Sequence, residues 1–116
     1  MNESVLLHNP GCSKSREALA LLQARGIEPR ILAYLESPPD AAQIDALLAM
    51  LALEPRELMR RDESDYSALG LDNPALTRTA LIAAMVAHPA LIQRPVFIHR
   101  GRAVIGRPPE RVFELL

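Results

Sequence analysis

The sequence predicts an α/β fold whose strands come from the two ends of the chain and whose middle is helical. Three observations carry this. Short apolar runs bounded by turn residues lie near both ends. Helical spacing of apolar residues fills the stretches between them. A tight-turn pair, Arg100-Gly101, separates the last two apolar runs.

In order, residues 4–8 read as a short buried strand. Ser13 is placed to cap the helix that follows, in which Ser15, Ala18, Leu19 and Leu22 fall at i, i+3, i+4 and i+7. Gly26 suits the left-handed position that ends a helix. Residues 30–34, Arg-Ile-Leu-Ala-Tyr, read as a second strand, and a crossover helix between two strands implies a parallel pair. Ser37-Pro38-Pro39-Asp40 is a break and a helix start, after which Ile44, Leu47, Leu48 and Leu51 make an apolar face. Pro55 begins a short helix through Arg60. Residues 62–76, polar and holding Gly70 and Pro74, read as loop. Thr77 caps a helix with Leu81, Ile82, Met85 and Val86 inside, ended by His88-Pro89. Val96-Phe97-Ile98 and Ala103-Val104-Ile105 read as a hairpin, and Pro108-Pro109 starts a last helix that buries Val112, Phe113, Leu115 and Leu116. The order βαβ, helical block, ββα is a thioredoxin-like layout with a helical insertion. We expect a single domain over 1–116, with the insertion at about 38–92.

Composition narrows the function. The chain has 116 residues, 49% hydrophobic and 23% charged, so it is neither disordered nor membranous in type. Its formal net charge of -1 offers no basic field for nucleic acid, and none is expected as a partner. No apolar run reaches the ~18 residues of a membrane span. Met1-Asn2-Glu3-Ser4 lacks the basic and apolar regions of a signal peptide. The expected location is the cytoplasm, where thiols stay reduced. One cysteine excludes an internal disulfide and any multi-Cys zinc site.

That cysteine sits in "HNPGCSKSR", at or just before the helix start. A thiol there has its pKa lowered by unpaired N–H groups and the helix dipole. His8, Lys14 and Arg16 are candidate sources of positive potential. A free cysteine is more often a small buried hydrophobe, but a Pro-Gly turn is a poor place for a core residue. The second cysteine of a Cys-x-x-Cys motif would fall at Ser15. A hydroxyl there can bond a thiolate but cannot form a disulfide, so a covalent intermediate on Cys12 needs an external thiol such as glutathione or a glutaredoxin. Twelve of the thirteen basic residues are Arg. Three stand beside breaks: Arg60 after "ELM", Arg94 before Pro95, and Arg107 before Pro108. Each alone is ordinarily a surface residue, but the thioredoxin-like layout brings Arg94 beside Cys12 and makes Pro95 a candidate for a cis peptide. Arginine forks around a thiolate make an oxyanion site. His88 and His99 have no ligands at metal spacing and read as surface or loop residues. Asp62, Glu63 and Asp65 read as a solvated run. There is neither a Gly-rich phosphate loop nor a Cys-x5-Arg arrangement.

Together "HNPGCSKSR", "LESPPD", "ELMRRDESDY", "LIQRPVF" and "IGRPPERV" resemble the ArsC-type, glutaredoxin-coupled arsenate reductases, above all their shorter chromosomal homologues. The likeness runs through essentially the whole chain. It implies a thioredoxin-like fold with a helical insertion and no bound cofactor or metal. It implies that Cys12 attacks arsenate, with His8 holding it as thiolate and Ser15 supporting it. Arg60, Arg94 and Arg107 would hold the oxyanion and then the arsenite adduct. Glutathione would attack the Cys12–arsenic adduct as co-substrate, and glutaredoxin would complete reduction. Plasmid-type members have Gly-Thr where this chain has Ser13-Lys14. Two other readings stay open: an Spx-like redox regulator that binds RNA polymerase, and a glutathione-dependent reductase of an unknown thiol substrate. Spx-type regulators typically carry Cys-x-x-Cys, which Ser15 interrupts here.

Overall fold

A computed structural model describes residues 4–116; Met1–Glu3, read above for the lack of a leader, lie outside the described residues. Two units are formed, one from the segment up to Ser37 with Arg94–Leu116, the other from Pro38–Gln93.

The first unit holds the sheet. Strands β1 (Ser4–Leu7), β2 (Arg30–Leu32), β3 (Val96–His99) and β4 (Arg102–Ile105) lie in the order β2-β1-β3-β4. As the crossover argument requires, β1 and β2 are parallel, while β3 is antiparallel to both β1 and β4. The register sets Leu6 beside Phe97 and Phe97 beside Val104. These three side chains share a face and pack with Ala18, Leu22 and Val112 as the core. Ala18 and Leu22 come from α1 (Ser13–Ala24), which follows Cys12 as its N-cap; Ser13 is therefore the first helical residue and not the cap. Gly26, at φ 77°, ends α1, with the Ile27 N–H donating to the Leu22 carbonyl and the Gly26 N–H to that of Gln23. Arg100 and Gly101 both take positive φ, as a two-residue hairpin turn demands.

Strand β2 stops at Leu32, and Tyr34 is buried in the turn beyond it. The last element, Pro109–Leu115, is a 3-10 helix. Its three-residue period puts Pro109 and Val112 inside, leaves Phe113 and Leu115 half-buried and exposes Leu116.

The second unit is helical. Helix α2 (Ala41–Leu51) begins at an Asp40–Gln43 capping box and buries Ile44, Leu47 and Leu48. Helix α3 spans Pro55–Leu58, with a second box between Glu54 and Glu57. Helix α5 (Arg78–Ala87) is capped by the Thr77 hydroxyl, which accepts from the Ala80 N–H, and buries Leu81, Ile82 and Met85. Residues 62–76 are not all loop. Ser64–Ala68 forms the short helix α4, which buries Tyr66 and lets its hydroxyl donate to Asp72 Oδ1 at 2.6 Å. A helix of five residues is too short to show a period in sequence. Among the described residues, no helix is long and apolar enough to cross a membrane.

Candidate active site

The turn between β1 and α1 is built around Asn9. Its side-chain oxygen accepts from the Gly11 N–H at 2.9 Å, and its carbonyl accepts from the Cys12 N–H at 2.9 Å. Its own N–H donates to Ser15 Oγ at 3.0 Å. In sequence the only sign of this role for Asn9 is the Asn-Pro-Gly turn signature. This turn delivers Cys12 to the N-cap of α1 in an extended conformation, φ -102° and ψ 124°.

At an N-cap, the side chain faces the free N–H groups two and three residues on. The Cys12 side chain makes no capping hydrogen bond in the structure. Its anion is what the site favours. Burial pushes the Cys12 thiol up, since only 9% of the residue is exposed. The N–H groups of Ser15 and Lys14, with the charge and a hydrogen bond of Arg94, outweigh that penalty and bring the thiol below its ordinary value. The thiolate therefore forms at lower pH than in a free cysteine. Alkylation by iodoacetamide should rise with pH through a midpoint below about 8.5, the free thiol value. A midpoint at or above that value would remove the case for an activated sulfur.

His8 and Ser15 are both buried, with Nδ1 of His8 and Oγ of Ser15 2.7 Å apart. Burial first, then the charge of Arg16, lowers the His8 pKa below the ordinary imidazole value. Ser15 meets the sulfur through its backbone N–H, while its hydroxyl is engaged with His8 and Asn9. Lys14 pairs with Glu17 at 3.8 Å, and Arg16 donates to the Pro10 carbonyl at 2.7 Å.

Arg94 enters from the start of β3, next to a cis Arg94–Pro95 peptide. Its Nε and Nη1 are buried, yet they have no hydrogen-bond partner among the described residues. Its carbonyl accepts from Arg107 Nη1 at 3.0 Å. The Gly106 N–H donates to the Pro95 carbonyl at 2.8 Å. The Arg107–Pro108 peptide is also cis. Cys12, Ser15, His8, Arg94 and Arg107 thus all belong to the first unit. Arg60 lies in the second, where its Nη1 donates to Glu63 Oε2 at 2.9 Å and to the Ala90 carbonyl at 3.3 Å. Glu63 is therefore an ion-pair partner and not merely part of a solvated run. His99 is half-buried, its Nδ1 2.7 Å from Ser4 Oγ and its ring stacked on Phe97. It is neither a loop nor a freely exposed residue. Among the described residues, no cluster of three or more His, Cys, Asp or Glu could hold a metal ion.

Known proteins resemble this chain over nearly its whole length. The family model described as the ArsC family matches residues 7–115. An Escherichia coli K12 protein named Uncharacterized protein YfgD is 49% identical over 112 residues, 96% of this chain and 94% of its own length. A Neisseria meningitidis serogroup A protein named arsenate reductase is 44% identical over 117 residues, all of both chains. The solved structure of an arsenate reductase from Vibrio cholerae superposes with a TM-score of 0.97 at 47% identity, covering 98% of each chain. The fold is the thioredoxin-like one of these neighbours, and the chain belongs to the ArsC family.

Proposed function

We propose that this protein is an arsenate reductase, with Cys12 as the nucleophile and Arg94 as the principal fork for the oxyanion. One observation carries the reading beyond family likeness. Arg94 keeps two buried, unpartnered nitrogens beside an acidic thiol. Leaving buried charged donors unsatisfied is costly, and a tetrahedral oxyanion at the sulfur would satisfy them. Arg107 is assigned as a further oxyanion ligand, as the family likeness implies. His8 and Ser15 keep the turn in shape.

The Cys12 thiolate attacks arsenic and displaces one arsenate oxygen, which leaves as water once protonated. Arsenic is still pentavalent in that adduct. Its two-electron reduction comes from joining two thiols in a disulfide: arsenate and two thiols give arsenite, a disulfide and water. The chain has one cysteine, so every other thiol is supplied from outside. Glutathione is the assigned co-substrate and glutaredoxin the assigned partner, in a reducing compartment such as the cytoplasm.

The test is arsenate-dependent NADPH oxidation with glutathione, glutaredoxin and glutathione reductase present. Turnover that needs all three and saturates with arsenate supports the assignment. If arsenate elicits none while Cys12 alkylates as an acidic thiol, the substrate is instead another thiol or disulfide.

A further inference from the structure

Arg107 is exposed. Its contact is with the main chain of Arg94, whose carbonyl it grips at 3.0 Å. The neighbouring Gly106 N–H holds the next carbonyl, that of Pro95, at 2.8 Å. These two bonds fasten consecutive carbonyls to one turn. Gly106 has to be glycine for this: a Cβ there would sit 2.9 Å from Pro95 Cγ and 3.3 Å from Val112 Cγ1. Both obstacles are packed, since Pro95 and Val112 are buried.

We propose that Arg107 is a positioning residue for Arg94: by clamping the Arg94 carbonyl, it holds that guanidinium at Cys12 even when no anion is bound. This deepens the proposed function and rests on its Cys12–Arg94 pair, but it does not depend on arsenate being the substrate. A residue that acted at the site only by its own charge would shift the free enzyme's sulfur equally with or without Arg94. A residue that positions Arg94 would not.

The decisive measurement is the pH dependence of Cys12 alkylation in the anion-free protein, for Arg107→Ala, Arg94→Ala and the double variant. Arg107→Ala should raise the midpoint by about half a pH unit or more, through loss of the Arg94 charge and hydrogen bond at the sulfur. In the Arg94→Ala background, the same substitution should add less than about 0.2 unit, because two residues acting through one contact are not additive. Arg107→Lys keeps a charge but not the planar fork, and should recover the midpoint only in part. Gly106→Ala, which pushes on the same turn, should shift it in the same direction as Arg107→Ala. Equal shifts from Arg107→Ala in both backgrounds would mean that Arg107 acts by its own charge, and the proposal falls. An unshifted midpoint in Arg107→Ala also overturns it. Thermal melting of each variant separates these outcomes from unfolding. Should arsenate turnover prove absent from the parent protein, these midpoints can still be read.

Discussion

Cys12→Ser is expected to eliminate arsenate-dependent NADPH oxidation while leaving the protein folded. The activity loss should be roughly a thousandfold or more, the scale on which removal of a catalytic nucleophile acts. No second cysteine exists to take over. The fold should tolerate the change because the position is an N-cap and serine is among the best N-cap residues. Its hydroxyl can accept from the same Lys14 and Ser15 N–H groups that stabilise the thiolate. The melting temperature should therefore be unchanged or slightly raised. A Cys12→Ser protein that retains turnover within about tenfold of the parent would place the chemistry elsewhere. An unfolded variant would show instead that the sulfur is a packing element.

Arg94→Ala should have the second largest effect, and on two readouts. Removing the guanidinium takes away a charge and a hydrogen bond that hold the thiol down, so the alkylation midpoint should move up. Arsenate or phosphate should also protect Cys12 from alkylation less well. A charge-assisted hydrogen bond is worth about 1.5–3 kcal/mol, so protection should weaken on the order of ten- to a hundredfold. Arg94→Lys separates the two effects. Lysine keeps the charge and should recover part of the midpoint. It cannot reproduce a planar fork, so anion affinity should stay low. An Arg94→Ala protein with parental midpoint and parental anion protection would leave the buried guanidinium nitrogens without a purpose at this site.

Much of the fold was legible because its signals are local. Asp40, Thr77 and Gly26 mark helix ends by what their side chains or backbone can do, and Arg100-Gly101 marks the hairpin by its turn chemistry. The parallel β1–β2 pair followed from the crossover helix. Features that failed to show were either too short or dependent on packing. The five-residue α4 has no period to detect, and the terminal 3-10 helix shares its Pro-Pro start and apolar spacing with an α-helix. At the site, Cys12 stands out in sequence because a lone cysteine at a strand-to-helix turn is unusual. The lowering of the His8 pKa has no signal in sequence, since it comes from burial and from Arg16, not from residue type. Nor could sequence tell that Ser15 faces the sulfur with its backbone while its hydroxyl is engaged with His8 and Asn9. That distinction depends on Asn9, whose three turn hydrogen bonds appear only once the chain is folded.

The N-cap placement of Cys12 has a consequence for the step after attack. Backbone N–H groups that stabilise a sulfur anion do so whether that anion is about to form a bond or has just been released from one. A thiolate of lowered basicity is a weaker nucleophile per anion but a better leaving group. The first turn of α1 therefore favours expulsion of Cys12 when an external thiol attacks an adduct. It regenerates the capped anion, and the helix end recovers the negative charge that bonding had removed. Such a sulfur is suited to being bonded briefly and let go.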